Sequence, residues 1–234
     1  MSGYVTLARA SGLMAEMQGI AHNIANASTT GYRREGAVFA EHVTALEGAP
    51  SVSQAHLHGR VTDRTQGALT GTGAPFDLAI EGEGFFQVET PGGPRLTRAG
   101  AFTPDEAGVL RTAMGHAVLD EGGAPILLPA DAGPVAVAPD GTISTPLGPL
   151  GRIGLVRPED PAAATREVGT LFRAEGAVPA EGARVVQGAL EQSNVEPVTE
   201  IARMIAVQRA YEAASAFSQK EGERRREAIR TLSR

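Results

Sequence analysis

Residues 22–34 read HNIANASTTGYRR, and the physical character of the chain changes across them. Upstream, Leu13, Met17, Ile20 and Ile24 recur in steps of four, three and four, the spacing of one face of a helix. Within the stretch, Ser28, Thr29 and Thr30 weaken that helix through their hydroxyl and β-branched side chains, and Gly31 can take the left-handed turn that ends it. The spacing therefore predicts a helix over residues 4–26, about 35 Å long at 1.5 Å per residue. Gly31 is expected at positive φ, releasing the chain outward at Tyr32.

An amphipathic helix must bury its stripe against something, and the other end of the chain offers a partner. Val198, Ile201, Met204, Ile205, Val207, Tyr211, Ala214 and Phe217 form a second helical series. Every proline but Pro197 falls between Pro50 and Pro179, so the two ends resemble each other and the middle differs. Ser193 with Glu196 reads as a capping box, but that choice puts Pro197 where an N–H is needed. Asn194 as the cap keeps Pro197 inside the first turn and is preferred. No strong breaker follows before Gly222, and Arg224, Arg225 and Arg226 sit near the C-terminus, where the helix dipole favours cations. Ile201 and Ile205 occupy one stripe, Met204, Val207 and Tyr211 the next. That arc is wider than a two-stranded coiled-coil seam needs, so this helix is expected to pack against more than one neighbour.

The middle is punctuated differently. Over residues 32–75 Gly48, Pro50 and Gly59 interrupt a mixed signal, read as an extended linker with a few strands. From 76 to 187 short apolar runs at 76–80, 85–88, 109–110, 117–119, 126–128, 135–138, 153–156 and 184–187 alternate with Gly, Pro and Asp. Many short strands with regular turns predict a small sandwich or barrel. Asp140-Gly141 marks a hairpin with a type I′ turn. The expected fold is α+β: terminal helices at 1–31 and 188–234 paired into an inner α-helical domain, a linker at 32–75, and a central β-rich domain at 76–187.

Composition narrows the function. The 234 residues carry a net charge of −6, which argues against a nucleic-acid partner. Cysteine is absent, removing thiol chemistry and thiolate metal sites. The start lacks a basic segment followed by an apolar run, so no Sec-type signal peptide is expected. No stretch approaches the roughly 20 apolar residues of a membrane span. In the glycines at 82 and 84 a phosphate loop is tempting, yet Gln87 stands where a third glycine belongs, and turns are the better reading, as for Gly71 and Gly73. His56 and His58 have no evident third ligand, and His116 neighbours no nucleophile elbow. No catalysis, metal, cofactor or small-molecule substrate is expected. Arg33-Arg34 and Arg224 to Arg226 read as solvated faces, with contact to an acidic neighbour the alternative for both.

Three segments carry a resemblance. HNIANASTTGYRR is similar to the N-terminal motif of the bacterial flagellar axial family of rod and hook proteins. Residues 67–110, GALTGTGAPFDLAIEGEGFFQVETPGGPRLTRAGAFTPDEAGVL, resemble an internal segment that rod and hook subunits share. Residues 188–212, GALEQSNVEPVTEIARMIAVQRAYE, resemble the family's C-terminal motif. The short β region looks most like a proximal rod subunit; distal rod proteins are usually longer, and hook proteins carry a much larger outer domain. The resemblance implies a structural subunit whose terminal helices line an axial tube, with β-structure outside. It implies partners in copies of itself and other proximal and distal rod subunits. It further implies export, without a cleaved signal, through the flagellum-specific apparatus into a rod crossing the periplasm. The assembly interface then joins the apolar stripes of Leu13, Met17, Ile20, Ile24, Ile201, Met204, Ile205 and Tyr211 to the motif residues Asn23, Asn26, Thr30, Gly31, Tyr32, Leu190, Ser193, Asn194, Val195 and Arg209. A contrasting expectation, a secreted β-domain that binds a ligand and uses its helices as a dimerisation handle, would place a deep polar pocket in the middle.

Overall fold

The computed structural model describes residues 2–46 and 49–232, with side chains described outside 2–7, 39–58 and 225. It is an α+β fold, with one helix near the N-terminus, one at the C-terminus and a β-rich region between. The chain forms two compact units: Met1–Ala27, Arg34–Asp63 and Val195–Arg234 make the first, Ser28–Arg33 and Arg64–Asn194 the second. The backbone therefore passes from one unit to the other at four places, 27/28, 33/34, 63/64 and 194/195.

The first unit contains helix α1 (Ser2–Ala25), strands β1 (Glu35–Leu46) and β2 (Ala49–Thr62), and helix α2 (Pro197–Leu232). The two helices pack on each other, and α1 also lies against the strands. At the end of α1 the Asn26 backbone N–H and side-chain amide both donate to the His22 carbonyl, at 3.2 and 2.9 Å, closing the last turn. Gly31 follows with φ 68°. At the other helix Asn194 does not act as the cap. Its amide donates to the Thr65 carbonyl at 2.9 Å in the second unit, and α2 begins at Pro197, where a missing N–H loses nothing. Gly222 does not stop α2 either. Its penalty of about 1 kcal/mol is outweighed by the Glu, Lys and Arg helix formers around it.

Where the sequence suggests a linker with a few strands, β1 and β2 form one antiparallel ribbon that runs from Glu35↔Thr62 to Leu46↔Ala49 with register shifts between Val38/Phe39 and Thr44/Leu46. A register shift puts an extra residue into one strand of a ladder, and a strict period-two pattern in the sequence does not survive one.

The second unit is centred on Phe85–Thr90, which pairs antiparallel with Gly93–Thr97 on one side and with Ala117–Val118 and Leu155–Pro158 on the other. Phe86 and Val88 point inward into a core with Leu78, Ile80, Phe102, Leu110, Val118, Ile153 and Val185, and the Phe86 and Phe102 rings meet edge to face at 5.1 Å. Most of the expected apolar runs overlap strands. Residues 126–128 instead bury Ile126 and Leu128 through isolated bridges. The hairpin at Asp140-Gly141 joins Ala136–Val137 to Thr142–Thr145, but not by a type I′ turn. Only Gly141 has positive φ, while Pro139 and Asp140 stay in the ordinary half of the map. Gly141 N–H donates to Ala138 at 2.9 Å, the pattern of a type I turn followed by a glycine bulge, which suits Pro139 at its second position. The last strands of the unit close it from the C-terminal side: Arg184–Gln187 pairs with Leu78–Glu81, and Ala189–Glu191 with Leu69–Gly71.

Candidate assembly interface

Within the first unit a buried polar hub joins α1, β1 and α2. Asn23 uses its whole side chain: Oδ1 accepts from the Glu35 N–H at 2.9 Å, and Nδ2 donates to the Glu35 carbonyl at 2.8 Å and to Glu200 Oε2 at 3.0 Å. Glu200, 1% exposed, also receives Arg34 Nε at 2.8 Å and Arg203 Nη1 at 3.3 Å. Arg203 reaches on to Glu16 at 3.4 Å, while Arg60 and His22 stand 3.5 and 3.8 Å from Glu35. Burial alone pushes the Glu200 carboxyl up, but hydrogen bonds from Arg34 and Asn23 and the charges of Arg34 and Arg203 outweigh it and hold the group below its ordinary 4.5.

A depressed carboxyl stabilises the folded state fully above its unfolded pKa and loses that contribution as pH falls through the folded value. Acid titration of helix circular dichroism is thus expected to show the first unit weakening only below about pH 4.5. Glu200→Gln should flatten that acid limb; an unchanged limb in the variant would remove Glu200 as its cause.

Around this hub the apolar arc of α2 divides. Val207 is buried, and Met204, Ala210, Tyr211 and Ala214 are half-buried, on the face that also carries Glu200. Val198, Ile201 and Ile205 are 76%, 48% and 47% exposed on the remaining face, with Arg209 also exposed. On α1, Ile20 and Asn23 are buried, and Leu13, Met17, Ile24 and Asn26 half-buried.

The segment after α1 enters the second unit. Gly31 and Tyr32 are buried there and Thr30 is half-buried. Arg33, 2% exposed, lies 2.7 Å from Glu191, itself 1% exposed. The expectation of a solvated Arg33-Arg34 face is overturned, because each arginine has a buried carboxylate, Arg33 in Glu191 and Arg34 in Glu200. Leu190 and Ser193 are half-buried in the second unit, as is Asn194, and Val195 is buried in the first.

Sequence reasoning missed Glu200, Glu191 and Arg98. A signal existed for Glu200, which stands four residues before Met204 and seven before Val207, on the stripe that packs. None existed for Glu191 or Arg98, whose partners lie far away in the chain. Among the described residues no group of three His, Asp or Glu could hold a metal ion, and the side chains of His56 and His58 lie outside them. Among the described residues no helix is long and apolar enough to cross a membrane.

Comparison with known proteins matches the chain in its β-rich region and again at its C-terminal end. The family profile described as flagellar hook protein FlgE/F/G D1 domain matches residues 79–145, and that described as flagellar basal body rod FlgEFG protein C-terminal matches 186–231. The chain is 40% identical to the flagellar basal-body rod protein FlgF of Caulobacter vibrioides, over 98% of this chain and 96% of that one. It is 38% identical to FlgF of Mesorhizobium japonicum with the same coverage. With the flagellar basal-body rod protein FlgG of Bacillus subtilis it shares 30% identity over 84% of this chain and 85% of the other.

Proposed function

We propose, from the premise that this chain belongs to the flagellar basal-body rod protein family, that its terminal helices build the inner wall of the rod through the outward face of α2. The chain is a structural subunit of the flagellar basal body that assembles with other rod subunits, and it is not an enzyme. In the finer reading it occupies the proximal rod, and the central β region is a small sandwich or barrel outside the helices. The subunit is exported through the flagellum-specific apparatus without a cleaved signal, and the assembled rod crosses the periplasm and carries torque.

The observation that carries this reading is the pair of half-exposed isoleucines on α2, Ile201 and Ile205, beside the more exposed Val198. One helix already has its inner face filled by its own chain, yet a second apolar strip remains in water. Heterologous contacts that do not close produce a filament, and such a strip is what they use. The interface therefore centres on Ile201, Ile205 and Arg209, with Leu13, Met17, Ile24, Met204 and Tyr211 at its margin. Asn23 and Val195 support it from the interior of the first unit.

Ile205→Asp tests this. The change removes about 1.5–3 kcal/mol of apolar burial at every joint and adds a charge that must be desolvated there. In the lone subunit the same position faces water, so the purified variant should keep a native circular dichroism spectrum and unfolding midpoint. Cells carrying it should assemble no rod and fail to swim. Normal swimming with stable, exported Ile205→Asp protein would show that this face is not the joint.

A further inference from the structure

The second unit is assembled from two separate lengths of chain, residues 28–33 and 64–194, and the short piece is gripped by the far end of the long one. Gly31 N–H donates to the Glu191 carbonyl at 2.8 Å, and Asn194 N–H to the Tyr32 carbonyl at 3.4 Å. Arg33 pairs with the Glu191 carboxylate and donates to the Thr65 carbonyl, while Arg166 donates to the Arg33 carbonyl. Glu191 simultaneously accepts from Arg98 at 3.1 Å and from the Gly67 N–H at 3.1 Å.

These groups close into a ring. From Glu191 it runs to Arg98, whose guanidinium lies 5.3 Å over the Phe85 ring, and Phe85 meets Phe172 at 5.6 Å. Arg166 is layered between Phe172 at 4.8 Å and Tyr32 at 4.5 Å, and Tyr32 leads covalently to Arg33, which returns to Glu191. Removing either end of the chain from this ring breaks a buried ion pair. Without Glu191, two buried guanidiniums, Arg33 and Arg98, lose the carboxylate they share; without Arg33, the strand that carries Glu191 loses its cover.

We propose that residues 28–33 form a strap and Ala189–Glu191 its catch, a two-part latch that completes the β-rich unit only when both ends of the chain are in place. Each part is a condition for the protection of the other. The latch is a property of the isolated chain and stands without the rod reading. On that reading it has a consequence, because a subunit threaded through an export channel cannot complete this unit until residue 191 has been delivered.

Hydrogen exchange of the purified full-length chain, read by mass spectrometry, tests the latch. Arg33→Lys keeps the charge but loses the planar fork that serves Glu191 and Thr65 together. It should raise exchange about tenfold in Leu69–Gly71 and Ala189–Glu191 as well as in 28–33, and Glu191→Gln should do the same at Gly31 and Tyr32. Exchange in Phe85–Thr90 and Gly93–Thr97 should stay at the wild-type rate. The double variant should exchange no faster than the faster single one. Effects confined to the substituted end, or multiplying in the double variant, would overturn the latch. If Glu191→Gln unfolds the unit outright, Arg166→Lys on the far side of the ring reads the same coupling, and it too must loosen both ends. None of these measurements involves swimming or assembly, so their failure is distinct from failure of the rod reading.

Discussion

Gly31→Val is expected to destabilise the β-rich unit by about 3 kcal/mol or more, the sum of a backbone and a packing penalty. The backbone at this position has φ 68°, where a side chain costs about 1–2 kcal/mol and a β-branched one the most. A Cβ here would stand 2.3 Å from both the Ala99 nitrogen and the Arg98 carbonyl carbon, and backbone cannot swing aside as a side chain can. Relief requires the strap to leave its place, which gives up the Gly31 hydrogen bond to Glu191 and the burial of Tyr32. Ala27→Val, four residues earlier and half-buried at ordinary φ, should change the urea midpoint by a small fraction of that. Equal midpoints for the two variants, followed by tyrosine fluorescence and circular dichroism, would show that the close approach at Gly31 is unimportant.

Asn23→Leu is expected to have a comparable effect on the first unit. The substitution keeps the volume but leaves the Glu35 N–H, the Glu35 carbonyl and one Glu200 oxygen without the partner each has now. At about 1–3 kcal/mol for each buried group left unmet, the loss is at least about 3 kcal/mol. Asn26→Leu is the internal control. That amide is half-buried and donates to the His22 carbonyl in the last turn of its own helix, so its removal should lower stability by less than about 1 kcal/mol. Urea unfolding followed by helix circular dichroism separates the two. An Asn23→Leu midpoint as high as that of Asn26→Leu would mean that the hub contributes little.

What the sequence disclosed and what it concealed divide along a physical line. The helices were legible because their determinants are local: Leu13, Met17, Ile20 and Ile24 on one face, the hydroxyl residues and Gly31 at its end, the wide arc from Val198 to Phe217 at the other terminus. The β1–β2 ribbon was concealed by its register shifts, which a strict period-two pattern does not survive. Arg33-Arg34 looked solvated because their carboxylates are non-local. The boundary between the units falls between them, so Arg33 is counted with Glu191 in one and Arg34 with Glu200 in the other. Asn194 misled because the helix starts later than the capping residues suggest: the Glu196 carbonyl accepts the first helical bond, from the Glu200 N–H, and α2 begins at Pro197. Of the residues expected at the interface, those whose role is burial could not be told from those facing water by spacing alone, since both kinds recur at helical intervals.

The four passages of the backbone between the two units bear on how the molecule carries load. Domains strung on a single linker are mechanically in series, and every newton passed between them runs through one peptide. Here the backbone crosses between the units at 27/28, 33/34, 63/64 and 194/195, so they are joined by four peptide bonds rather than one. A nick at any one of them leaves the remaining three joining the two units, so a single cleavage cannot part them.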